Sequence, residues 1–244
     1  MAIGGIIAIW YMCFAARQLR PIRLKWSCRS LLYSIRNIGY QCTIGMSALM
    51  GKCTMAVLAL IGNYVFGAYL GDAGIGAFGI ACYYTPFVYM IGNAVAQSAQ
   101  PIISYNYGCG DSCRVRSTLR VALLAAVVCG GSVSTAFVFF PYQLVELFIN
   151  TNEAAFPLAV KGFPLMATAF VFFIVNLTLI GYYQSVERVR PAMVFALLRG
   201  IFFLVPCFLV LPLWFDETGI WIALGMSEML TTLCIIGYMW HGNR

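Results

Sequence analysis

An all-helical bundle that crosses a membrane several times is the fold class this sequence predicts, on three observations. Apolar residues fill 62% of the 244 positions and charged ones only 9%, whereas soluble domains hold roughly 45–50% and about 25%. The apolar residues gather in stretches mostly longer than the roughly 20 residues a helix needs to cross the hydrocarbon layer. Those stretches are continuously apolar, without the alternation over about ten residues that marks a membrane β-strand. A soluble globule is excluded.

Seven apolar stretches follow one another. Residues 1–16 are short for a span and lack the basic start and small-residue cleavage site of a signal peptide. They read as the end of a transmembrane helix whose beginning lies upstream, so the chain is expected to be truncated. Residues 17–37 hold Arg17, Arg20, Arg23, Lys25, Arg29 and Arg36 and read as a basic linker. Six full spans are then expected at 38–68, 75–105, 118–140, 157–184, 192–213 and 219–240, making 38–244 one six-helix lobe. Each gap between them holds breakers or charges: Gly71 and Asp72, Gly108 to Arg116, Pro141 to Glu153, Glu187 to Pro191, and Asp216 with Glu217. Ten cysteines are scattered, most of them inside spans, where a thiol behaves as a small hydrophobe; no disulfide framework is implied.

Charge sorts by loop. The basic linker, Arg114 with Arg116 and Arg120, Arg188 with Arg190, and Arg244 fall on alternate loops, while the loops between them are acidic apart from Lys161. The positive-inside bias therefore places the basic loops and the C-terminus in the cytoplasm. The net charge of +7 follows from this sorting and does not imply nucleic acid as a partner; the expected partner is the lipid bilayer.

Polar groups in hydrocarbon are costly, so those inside spans should face protein or a water-filled cavity. Asn93, Gln97, Gln100 and Ser104 stand at i, i+4, i+7 and i+11, one narrow face of a helix. Pro101 lacks an amide hydrogen and crowds the carbonyl of Gln97, distorting the helix and freeing an acceptor beside the stripe. The stripe either lines a cavity or holds neighbouring helices together, and both readings stand at this point. Lys52 heads a second face with Ala56, Ala59 and Asn63. As a cation deep in a span it should have a partner, and Glu228, at comparable depth, is the expected one, with Arg199 as a competitor for the same carboxylate. Lys52, Arg199 and Glu228 are thus expected as buried ionic residues. Asn176 and Tyr183 share a face seven residues apart.

Catalytic parts are missing. The only histidine is His241, and no nucleophile elbow, zinc-protease helix or phosphate loop occurs. An enzyme is not expected, nor are a catalytic residue, a metal site or a cofactor.

The third stretch and its exit, Gln97, Gln100, Pro101, then Ser104, Tyr105, Asn106, Tyr107, Gly108 and Gly110, resemble a helix of the multidrug and toxic compound extrusion (MATE) transporters. "GYYQSVERVRPAM" at 181–193 is similar to that family's turn between its tenth and eleventh helices, "LLRGIFFLVP" at 197–206 to the eleventh, and "GIWIALGMSEML" at 219–230 to the start of the twelfth. The resemblance covers 38–240 in order and concerns the second of two six-helix lobes, with 1–16 as the tail of the sixth helix.

It implies a bacterial inner-membrane exporter working by alternating access, with a proton or sodium as coupling ion, an amphiphilic small molecule as substrate and the N-terminal lobe as missing partner. Substrate would meet Lys52, Asn63, Asn93, Gln97, Gln100, Ser104, Asn176 and Tyr183. Where some branches place ion-binding carboxylates in the first and fourth helices of this lobe, this chain has Lys52 and Asn176. Alternatives are a lipid-linked saccharide flippase of the wider superfamily, which needs cationic cavity walls, and a truncated, non-transporting membrane scaffold.

Overall fold

The computed structural model describes Trp10, Phe14 and residues 28–241. The chain divides into two compact units, Met1–Thr43 and Ile44–Arg244, and the second contains everything discussed below except the start of the first helix. The expectation for residues 1–16 lies outside the described residues apart from Trp10 and Phe14, which are helical, with rings stacked 5.8 Å apart.

Helix α1, Cys28–Gly108, is a hairpin of two arms broken at Gly71. Gly71 has φ 62° and ψ −156°, a backbone state that a Cβ would oppose. The arms fold back on each other, so that the rings of Phe66 and Phe78 stack at 4.7 Å. The helix is already formed at Cys28, inside the stretch 17–37 read from sequence as a linker. The physical reason is that arginine is a good helix former, so a basic run does not end a helix.

The other elements are α2 (Ser112–Phe139), α3 (Pro141–Glu146), α4 (Ala155–Ser185), α5 (Val189–Leu197), a π-turn (Leu198–Phe202) and α6 (Leu204–His241). Helix α6 is also a hairpin, broken at Asp216 with φ 47° and ψ −132°. Four stretches of the described chain are long and apolar enough to cross a membrane, Lys52–Gly108, Ser112–Phe139, Ala155–Ser185 and Val189–His241. The breaks at Gly71 and Asp216 divide the first and last, giving six helical arms.

Turn chemistry explains the joins. Helix α1 ends at Gly108, Gly110 takes φ 76°, and the Asp111 carboxylate caps α2 by accepting from the Arg114 amide at 3.0 Å. Thus "YNYGCGD" is a helix end, a glycine turn and a cap in seven residues. Pro141 opens α3 at its first turn, where no amide hydrogen is needed.

Helix α4 is the central post. Two thirds of its apolar window is buried, against a third or less for the other spans. Lipid tails are as apolar as leucine, so close contact rather than water exclusion holds such helices together. Small residues permit it: Gly130 of α2 lies so near α4 that a Cβ there would stand 2.8 Å from the Val171 Cα, and the Ser134 hydroxyl donates to the Ala167 carbonyl at 2.7 Å. One half of the lobe is filled by an aromatic cluster in which Phe137 meets Phe163 and Phe170 at 5.1 and 4.7 Å, and Trp221 meets Phe66 edge-on at 4.8 Å.

Candidate functional site

Helix α5 cannot run straight into α6. Between them the Phe203 amide bonds the Leu198 carbonyl, the i to i+5 pattern of a π-turn. Gly200 lets this turn press on the first arm of α1, since any Cβ there would collide with Thr54. The extra residue turns Arg199 inward, where its side chain is 2% exposed.

Its partner is Glu228 on the second arm of α6. Arg199 Nε donates to Oε1 at 2.7 Å and to Oε2 at 2.9 Å. Asn176 of α4 donates to Oε2 at 2.8 Å and to the Glu228 backbone carbonyl at 2.9 Å, and the Thr232 hydroxyl donates to Asn176 Oδ1 at 2.9 Å. The Arg199 guanidinium also lies over the Phe173 ring, 4.0 Å from its centre. Its Nη2 is buried and has no hydrogen-bond partner among the described residues. Helices α4, α5 and α6 thus meet around one buried charge pair.

This corrects the expected pairing of Glu228 with Lys52. Arg199 and Glu228 sit at one depth on two arms of one hairpin, and the guanidinium reaches both carboxylate oxygens. Lys52 is not buried. It is exposed on the first arm of α1, with Nζ 4.8 Å from the centre of the Tyr89 ring.

A cavity of about 490 Å³ opens in front of Lys52. Its polar wall is made by Lys52, Thr54, Asn93, Gln97, Gln100 and Gln184, with Tyr89 and Arg199 beside them. No acidic residue is among the lining side chains. Three members of the Asn93–Ser104 stripe therefore face this space. The fourth acts between helices: Ser104 donates to the Ser185 carbonyl at 3.2 Å. Gln100 does both, donating to Gln184 Oε1 at 3.4 Å. Pro101 lies within the second arm of α1, which stays helical past it to Gly108.

Other expected cavity residues go elsewhere. Asn63 turns its amide onto the Ala59 carbonyl of its own helix at 2.8 Å and does not line this cavity. Asn176 is fully buried in the charge network. Tyr183 is buried and lines a different cavity, since the helix turns it about 100° away from the neighbouring Gln184. Tyr89 was missed although it stands four residues before Asn93, on the same helical stripe. Thr232 was missed too, one turn beyond Glu228; threonine in a helix usually satisfies itself on its own backbone, so it gives little signal.

That second cavity, about 580 Å³, lies where the α1–α2 turn, the end of α4, the start of α5 and the end of α6 converge. Arg116, Arg120, Arg188, Tyr182, Tyr183 and Tyr238 line it.

The family model described as MatE matches residues 48–209. The chain belongs to the MatE family. Among similar proteins, the probable multidrug resistance protein NorM of Rhizobium meliloti (strain 1021) is 28% identical over 159 residues, 62% of this chain and 34% of that protein. A MOP superfamily transporter from Pyrococcus furiosus, for which a binding pocket of reverse polarity is described, superimposes with a TM-score of 0.83. It shares 13% identity over 96% of this MatE chain and 52% of its own. A Vibrio cholerae MATE transporter gives a TM-score of 0.82 at 16% identity, with 96% and 52% covered. At those identities the structural likeness establishes the fold, an α-helical membrane lobe of MATE type. The MatE chain spans about half the length of these solved structures and a third of the curated relative.

Proposed function

We propose that this chain is the C-terminal lobe of a MATE-type exporter that expels amphiphilic organic compounds from a bacterial cell by alternating access. The observation that carries the reading is the cavity beside Lys52. It is walled by amide side chains and an aromatic ring, while the buried Asn176, Arg199 and Glu228 beside it are engaged with one another. Amides donate and accept, so such a wall suits cargo of varied polar decoration, with Tyr89 for its apolar part.

Cavity charge refines the cargo. Glu228 is held by Arg199, so nothing among the described residues neutralises Lys52 inside the cavity. A compound bearing an anionic group fits this wall better than a purely cationic one. A flippase for pyrophosphate-linked saccharides is disfavoured, because Lys52 is the lone cation not already engaged by a carboxylate among the lining residues. We further propose that the coupling ion, a proton or sodium, is bound by the preceding lobe. Here Lys52 and Asn176 occupy the positions where this lobe would carry ion ligands, and Glu228 is already engaged. In this reading the membrane is the bacterial inner membrane, with the basic loops and the C-terminus cytoplasmic.

The test is accumulation of a fluorescent amphiphile in cells expressing the full-length protein. Gln97→Ala and Gln100→Ala should each raise accumulation severalfold at unchanged expression. Accumulation equal to wild type in both variants would remove the cavity from the transport route.

A further inference from the structure

The second cavity has no role in the proposed export cycle. Its basic lining comes from separate elements: Arg116 and Arg120 stand one turn apart on α2, and Arg188 precedes α5. Guanidiniums gathered around one space repel each other, an arrangement that favours an anion between them. Nearby carboxylates do not supply it. Asp111 is engaged with Arg114, at 3.4 Å, and caps α2, and neither Asp111 nor Glu187 lines the cavity. None of the three arginines forms an ion pair within the described residues.

The rest of the lining is amphipathic. Tyrosine hydroxyls from Tyr107, Tyr182 and Tyr238 and the Ser112 hydroxyl offer further donors, while Val115, Leu119 and Leu123 alternate with the arginines as an apolar wall along α2. At the same four-residue spacing as Arg116 and Arg120, α2 then exposes Leu124 and Val128, with Val121 beside them. A polar, cationic mouth thus continues into an apolar flank on one helix.

We propose that this cavity is a binding site for an anionic phosphate group, supplied by the headgroup of a phospholipid whose acyl chains lie along α2. A phosphodiester gives the arginines and hydroxyls charged acceptors at the height where a bilayer carries them, and a 580 Å³ space accommodates a glycerophosphate. The site ties the start of α2 to the ends of α4 and α6 through a bound lipid, independently of any cargo.

Thermal unfolding of the purified protein in a neutral detergent tests this, with dioleoyl phosphatidylglycerol, dioleoyl phosphatidylcholine or inorganic phosphate added. Phosphatidylglycerol should raise the midpoint saturably and phosphatidylcholine should not. The double variant Arg116→Gln with Arg120→Gln, both exposed positions, should weaken the phosphatidylglycerol effect about twenty- to thirtyfold in half-saturating concentration. Arg190→Gln, exposed and outside the cavity, should leave it unchanged. Equal stabilisation by phosphatidylcholine, or an equal loss in Arg190→Gln, overturns the proposal by reducing it to general lipid or surface-charge effects. Saturation by inorganic phosphate alone, with nothing added by the lipid, overturns the lipid as the source of the phosphate group.

Discussion

Replacing Glu228 by Leu removes the carboxylate that accepts from Arg199 Nε at 2.7 and 2.9 Å and from Asn176 at 2.8 Å. The guanidinium already has one nitrogen without a partner. It would keep the Phe173 ring, at 4.0 Å, as partial compensation. Removing one member of a buried pair costs about 3–5 kcal/mol, because the survivor is left charged and desolvated. For a chain of this size that corresponds to a fall in unfolding temperature of roughly 10 °C. Arg199→Met should cost a similar amount, since it strands the carboxylate with Asn176 alone. The double variant Arg199→Met with Glu228→Leu leaves no buried charge, and Asn176 still donates to the backbone carbonyl of residue 228. Its stability should return to within about 2 kcal/mol of wild type. The assay is a double-mutant cycle on unfolding in detergent. If the single changes cost under about 1 kcal/mol, or the double variant loses the sum of both, the pair is not the coupled, desolvated unit described.

Two further outcomes are expected. Gly130→Val should destabilise the lobe by about 1–3 kcal/mol, because its side chain would meet the α4 backbone at Val171 and Phe170; a thermal midpoint equal to wild type would contradict that close approach. Lys52→Glu should invert cargo preference in whole cells, reducing efflux of an anionic dye about tenfold and improving that of a cationic one. Parallel losses for both dyes would mean that Lys52 does not set the cavity charge.

Much of the fold can be read in the sequence because lipid imposes one rule: an apolar stretch of sufficient length becomes a helix and its polar residues must be accounted for. The stripe Asn93, Gln97, Gln100 is legible for that reason, since helical spacing alone puts it on one face. Three features were not legible. The start of α1 at Cys28 escapes because hydropathy marks where a helix meets hydrocarbon, not where it begins to coil. The choice of Arg199 over Lys52 as partner for Glu228 depends on the π-turn, and a single extra residue in a turn has no periodic signature in an apolar run. Asn63 and Tyr183 were misplaced because helical phase gives the face of a residue but not which neighbour covers that face. Where a neighbour lies follows from the breaks at Gly71 and Asp216, whose angles no pattern specifies.

The charge pair also bears on how the chain enters the membrane. Arg199 and Glu228 are 29 residues apart, on the two arms joined at Asp216, so they belong to a single hairpin. Inserted one arm at a time, each segment would carry a naked charge into hydrocarbon, at about 2.5–3.5 kcal/mol apiece. Inserted together, the arms would bring in a neutral couple. On that cost the last two arms, joined at Asp216 and paired through Arg199 and Glu228, are expected to enter the membrane as one unit.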